Sequence, residues 1–455
     1  MLTDTTVPAT PVRTTPPGWF TPAVFIMAPV VMSFVAWFAL VARRNLGGPE
    51  TMSEALTGFA TPAPVSGPGV ALLVLWYGAI VAVSMLGFRL GTQRNRPSPG
   101  MQRLNAPWFE RRYFYLLLVT GAIGVAYSFF QVGGISGITE SLSEQTANDF
   151  SNALSGFAGP QTLRYATILA APIGVYLWRK KVIGWPAMVA GVLLLVANSM
   201  IASRLALLMA CAVFLAAWVR GREPRSVPAR SRARTVGAVA LILLAGFGVL
   251  TVLNYTRNAN YYREAGVTNP VEMNTYQMGA YLAVPAQISF GVSDAVARGA
   301  WEKTGDPATA LESVQPTFLQ FNKITKDESW KQAATYGFSV MFAGNFFTNS
   351  VFADTYSVYG TWGWLYTIVA YGVAGYGFAR MYSFSPVLAG SAGVLAYCFL
   401  EVWRVQILIY GIVIFLLLLT AASAVFVSRF RPPDVSSSRR RSSRPLRQGR
   451  SPSAG

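Results

Sequence analysis

The side chains able to move a charged group lie in a few short stretches beside apolar runs. Arg204 sits in "NSMIASRLALLM" (198–209), apolar on both sides, where a charge is costly in a membrane. "YTRNANYYREAG" (255–266) holds Arg257, Arg263 and Glu264 beside Tyr261 and Tyr262. "GNFFTNSVFADTYS" (344–357) holds Asn345, Thr348, Asn349 and Asp354. "LEVWRVQ" (400–406) holds Glu401 and Arg404, three apart and on one face if the helix continues. Fixed arginines in a poorly solvated site bind phosphate and stabilise charge developing on a leaving group. The chain has no histidine. An imidazole therefore serves neither as base nor as metal ligand, and a carboxylate is the natural base. This excludes histidine-dependent membrane O-acyltransferases and His-ligated metal enzymes. Each candidate also has a structural reading. Arg204 can snorkel as an anchor, and Arg257 and Arg263 can face solvent. Glu401 and Arg404 can form a structural ion pair, the Asn and Thr residues can cap helices, and the tyrosines can anchor at an interface.

The elements that must position these groups are apolar. The chain has 455 residues, 53% hydrophobic and 12% charged, with mean hydropathy +0.40. Soluble domains carry roughly 25% charged residues. The pattern predicts an all-α polytopic membrane protein of about ten transmembrane helices. They are 20–42, 68–88, 113–132, 165–178, 182–199, 204–219, 235–253, 362–379, 386–400 and 405–428. The basic segments 88–112, 178–181, 219–234 and 429–455 fall on one side if both termini are cytoplasmic. That side then carries net +21 and the other net −3, from an overall +18. Arg43 and Arg44 are the exception. The basicity is thus a topology signal, and no nucleic-acid partner is expected.

Five segments follow. Residues 1–19 form a disordered cytoplasmic N-terminus with no signal peptide expected, and 20–253 hold spans 1–7. Residues 254–361 form a large extracytoplasmic loop with short helices; within it Tyr281–Phe290, "YLAVPAQISF", suits the interface or a dip into the bilayer. Residues 362–428 hold spans 8–10, and 429–455 form a disordered basic tail suited to anionic lipids. No nucleotide-binding glycine loop occurs, which disfavours ATP-driven transport. Both cysteines, Cys211 and Cys398, fall in predicted spans, so no disulfide framework is expected. Residues 182–219 provide about 57 Å of helix, enough for two crossings of a core about 30 Å thick. The turn then falls at "NSMIASR". Arg204 lies at the outer interface, at the positive start of the descending helix, a place suited to an anion.

With "NSMIASRLALLMA" turning on a Ser-Arg step, "FFQVGGISGITES" (Phe129–Ser141) ending a span in a glycine pair, and "GNFFTNSVFADTYSVYGTWGWLYTIVAYGVAGYGFAR" (Gly344–Arg380), the chain resembles bacterial oligosaccharide repeat-unit polymerases. These are the Wzy-like O-antigen and exopolysaccharide polymerases. Two departures stand out: Leu205 replaces the usual glycine after the Ser-Arg step, and Asp354 lies far from the Gly360–Gly363 turn. The resemblance implies a GT-C-like, metal-independent glycosyltransferase of the bacterial plasma membrane, with its site on the extracytoplasmic side and no cofactor. It would move a growing glycan from polyprenyl diphosphate to the non-reducing end of a new lipid-linked unit. Arg204, Arg257, Arg263 and Arg404 are then the diphosphate-binding candidates. Asp354, Glu401 and Glu264 are the catalytic carboxylates, and Asn345, Thr348, Asn349, Tyr261 and Tyr262 bind substrate. Expected partners are the lipid-linked oligosaccharide, membrane lipids, a flippase and chain-length regulator proteins. Two other readings stay open. One is a different polyprenyl-phosphate-dependent glycosyltransferase or ligase; the other is a transporter that flips lipid-linked oligosaccharide.

Overall fold

A computed structural model describes residues 16–45, 54–94, 104–131, 159–202, 204–221, 259–300, 305–316 and 349–430, with scattered positions between 244 and 255. Among the described residues every regular element is helical. The longer helices are α1 (Pro22–Asn45), α2 (Gly67–Gln93), α3 (Pro107–Gln131), α4 (Thr167–Arg179) and α5 (Trp185–Ala202). They continue with α6 (Arg204–Gly221), α7 (Pro270–Ala297), α8 (Val351–Ser383), α9 (Pro386–Leu400) and α10 (Gly411–Ser428). Four of them, α1, α2, α3 and α10, are long and apolar enough to cross a membrane, and α5, α6 and α9 are shorter apolar helices. The chain is a membrane-embedded helical protein. Most of expected span 235–253, and most of the two terminal segments, lie outside the described residues.

The helices pack around α9, buried from Pro386 through Phe399. One of its faces joins a core with α1, α2, α7 and α8, through Ala392, Leu395 and Phe399. Its other face joins a core with α3, α4, α6 and α10, through Val394, Tyr397 and Cys398. An element apolar all round belongs between layers, and α9 has no charge within it.

Glycines set the close contact between α2 and α8. A Cβ on Gly87 of α2 would meet the Gly372 carbonyl oxygen of α8 at 2.0 Å. A Cβ on Gly375 would meet the Ser84 oxygen at 2.1 Å. The backbones of α2 and α8 touch directly, as small residues allow between membrane helices. Within α8, Gly360 has φ 65° and ψ −155°, a conformation open essentially only to glycine. It breaks α8 into a short leg, 351–359, folded back on a long leg. Trp364 Nε1 donates to the Phe352 carbonyl at 2.8 Å, and the two rings stack at 4.7 Å.

Two expectations change. The segment 254–361 was expected to carry short helices, yet it contains α7, of 28 residues. Asn269 caps it, accepting from the N–H groups of Val271 and Glu272, and Pro270 opens it. Residues Ala283 to Asp294 are all buried. They pack on the second half of α1 and the first half of α2. Ser33 donates to the Leu282 carbonyl at 2.6 Å, Trp37 Nε1 donates to Gln287 Oε1 at 2.6 Å, and Gly69 abuts the Asp294 backbone. The stretch 281–290 therefore lies within the bundle. The last helix starts at 411 rather than 405. Residues 401–410 form a turn and a 3-10 turn (Ile407–Ile409), held where Gln406 Nε2 donates to the Ser313 carbonyl at 2.8 Å.

The described parts of the basic segments 88–112, 178–181 and 219–234 lie at one end of the bundle. There Arg380 donates to the Arg94 carbonyl at 2.8 Å. Arg220 donates to the carbonyls of Tyr382, Ser383 and Phe384. Arg179 lies over the Trp218 ring at 4.2 Å, and Lys180 faces Glu110 at 3.6 Å. Asp294, Asn349, Asp354 and Glu401 lie at the opposite end.

The glycine contact is testable. Gly87→Ala should lower the thermal stability of the purified protein markedly, because overpacking costs about 1–3 kcal/mol. Gly78→Ala, on the same helix with nothing within 4 Å of its added carbon, should leave the unfolding curve unchanged.

Candidate functional site

The start of α8 is held from three directions. Ser350 caps the helix by accepting from the Ala353 N–H, and its hydroxyl shares a 2.6 Å bond with Ser289 of α7. The Val351 N–H donates to the Val402 carbonyl just past α9. This places Asp354, in the first turn of α8, beside the turn that carries Glu401 and Arg404. Tyr410 lies within electrostatic reach of all three charged groups.

Arg404 Nε donates to Glu401 Oε2 at 2.8 Å, and its guanidinium faces the Tyr281 ring of α7 at 6.0 Å. Glu401 is buried, with 7% of its side chain exposed, against 22% for Arg404. The expected ion pair thus forms. Its geometry leaves the terminal nitrogens of Arg404 without a hydrogen-bond partner among the described residues. Tyr397, one turn before Glu401 on α9, is buried and lies close to both members of the pair.

Asn349 is buried and does not cap α8; its Nδ2 donates to Asp354 Oδ1 at 2.7 Å. Asp354 precedes the predicted span 362–379. Burial pushes its carboxyl up to about 7, while the hydrogen bond from Asn349 pulls it down. A carboxyl tuned to that range can accept a proton near neutral pH.

The structure places the Asn349–Asp354 pair and the Glu401–Arg404 pair at the same end of the bundle, linked through the Val351–Val402 bond and Tyr410. Helix α6 starts at the same end. Helix α6 runs antiparallel to α9, with Arg220 at residues 382–384 and Val213 against Gly390 and Gly393. From Val213 back to Arg204 is about 13 Å of helix, and from Gly393 on to Glu401 about 12 Å. Arg204 therefore opens α6 at the same end as Glu401, and the turn between α5 and α6 falls where the hairpin reading puts it.

Other candidates stand apart. Arg263 and Glu264 are exposed, and Arg263 donates to the Tyr255 hydroxyl at 2.7 Å. Tyr262 is not a surface contact residue: it is buried in a small apolar cluster with Leu56, Ala259, Val267 and Met273, against which Tyr261 packs. Apolar burial outweighs exposure there because the one-turn helix Glu54–Thr57 covers it. Asn345, Thr348 and Arg257 lie outside the described residues. The sequence reading missed Tyr281, Tyr397 and Tyr410. Tyr397 alone carried a local signal, four residues before Glu401. Among the described residues no three His, Cys, Asp or Glu side chains gather to hold a metal ion.

No family model matches the chain, and neither a characterised protein nor a solved structure does.

The Asn349–Asp354 pair gives a signed expectation. Removing the donor in Asn349→Ala should raise the Asp354 pKa further, read by carbon-13 titration of its carboxyl. A raised native pKa means that the folded state keeps a proton the unfolded chain has lost. Stability from Asp354 should therefore fall as pH climbs from the ordinary carboxylate range to about 7. Asp354→Asn should flatten that slope.

Proposed function

We propose that the chain polymerises lipid-linked oligosaccharide repeat units at the outer face of the bacterial plasma membrane. A growing glycan leaves polyprenyl diphosphate and joins the non-reducing end of a new lipid-linked unit. The acceptor hydroxyl oxygen forms a bond to the anomeric carbon, the bond from that carbon to the diphosphate oxygen breaks, and the hydroxyl proton passes to a carboxylate. Asp354 is the base. Arg404, steadied through Nε by Glu401, offers its terminal nitrogens to the departing diphosphate, and Arg204 adds a second positive charge. Such donors act on charge that grows in the transition state, where a fixed group in a poorly solvated site is most effective.

One observation carries this reading. A carboxyl tuned to about 7 and an arginine with open terminal nitrogens both lie at the end of the bundle opposite the basic segments, linked through Val351–Val402 and Tyr410. That end faces outward by the positive-inside rule.

The purified protein, given a polyprenyl-diphosphate-linked repeat unit from its host, should produce a ladder of polymers. Arg404→Ala should slow the ladder by about 100-fold or more, the effect of losing one transition-state donor. Arg204→Ala should slow it too. The rate should rise with pH through about 7, and Asn349→Ala should move that rise to higher pH. Transfer of a single glycan to another acceptor would point to a ligase. Movement of the labelled lipid across a vesicle without new bonds would point to a flippase.

A further inference from the structure

A second cationic site lies at the basic end, away from the residues above. A cavity of about 400 Å³ opens between the start of α3 and the turn joining α4 to α5. Arg111 and Lys181 line it together with Tyr115, Trp178 and Trp185, and no carboxylate does. All five side chains are exposed. The nearby acid, Glu110, turns inward to Lys180 and is buried. Among the described residues neither Arg111 nor Lys181 has an acidic partner.

The backbone makes the arrangement specific. Helix α4 ends in a Schellman turn: the Val182 N–H donates to the Leu177 carbonyl at 3.0 Å, and the Lys181 N–H to that of Trp178 at 2.9 Å. Such turns place a left-handed residue after the helix, usually glycine. Here that residue is Lys181, with φ 59°, the one described non-glycine residue with positive φ. A β-carbon is disfavoured in that conformation. The turn itself asks for glycine, and the lysine found there adds its charge to the cavity.

We propose that this cavity binds the phosphate of an anionic membrane lipid. Two cations without acidic partners, Arg111 resting over the Tyr115 ring at 5.8 Å, match a phosphate diester, and tryptophan and tyrosine around them suit the headgroup level, where an apolar ring and a polar edge are both satisfied. Basic pockets between membrane helices on the cytoplasmic side take lipid headgroups in this way. The site is independent of the polymerase reading and stands without it.

The test measures thermal unfolding of the full chain in an uncharged detergent, with added phosphatidylglycerol, phosphatidylcholine, glycerol 3-phosphate or inorganic phosphate. Phosphatidylglycerol should raise the melting temperature and the other three should not. Arg111→Gln and Lys181→Gly should each remove at least half of that rise. Without lipid, Lys181→Gly should unfold at the same or a higher temperature than the wild type, because glycine suits the turn. Arg89→Gln, at the same end but outside the cavity, should keep the full rise. An undiminished rise in the Arg111→Gln, Lys181→Gly double variant overturns the proposal, as does an equal loss in Arg89→Gln. A rise with inorganic phosphate or glycerol 3-phosphate equal to that with phosphatidylglycerol overturns the lipid as ligand.

Discussion

Direct backbone contact between α2 and α8 is the constraint on which the rest of this structure depends. Gly87, Gly372 and Gly375 leave no room for a β-carbon between the two helices. In a membrane the pairing of helices gains little from the hydrophobic effect, because lipid is as apolar as leucine. Close van der Waals approach takes its place. Once α8 lies against α2, the strained turn at Gly360 sends its first leg back over Trp364. That leg then reaches Ser289 of α7 and Val402 beyond α9. The position of Asp354 follows from a contact farther along the same helix.

The polar groups at that end belong to two helices and one turn. Glu401 and Arg404 lie on the turn after α9, Asp354 and Asn349 flank the start of α8, and Tyr281 comes from α7. Burying a charge is tolerated when it is paired, and Glu401 provides that for Arg404 through a single nitrogen. A bidentate pair would have used up the guanidinium. The one-sided pairing fits an arginine held in place with part of its donor set left over.

Helix α7 shows how a polar sequence can hide a member of the bundle. Its sequence has Pro270, Glu272, Asn274 and Gln277 in the first turns, and Gln287, Ser289, Ser293 and Asp294 later. No hydropathy window marks it as a bundle member. Yet Gln287 is fully satisfied by Trp37, Ala63 and the Thr61 carbonyl, and Ser289 by Pro285 and Ser350. Polar groups that raise the cost of burial in isolation lose that cost when partners meet them. Those partners lie more than 200 residues away in the chain for Gln287.

By itself the sequence determined the helical class, most helix positions and the segregation of basic segments. These depend on local composition, on run length against bilayer thickness, and on charge. It also marked Asp354, Glu401 and Arg404, since Glu401 and Arg404 are local neighbours and charges near apolar runs stand out. Only the tertiary structure decided that Asp354 and Asn349 lie at the same end as that pair, that Tyr262 is core, and that Tyr281 faces Arg404. It alone showed that the polar stretch Pro270–Ala297 packs as the buried helix α7. Each of these rests on contacts between segments distant in sequence, set by glycine-permitted packing and polar satisfaction, and neither leaves a periodic trace in the chain.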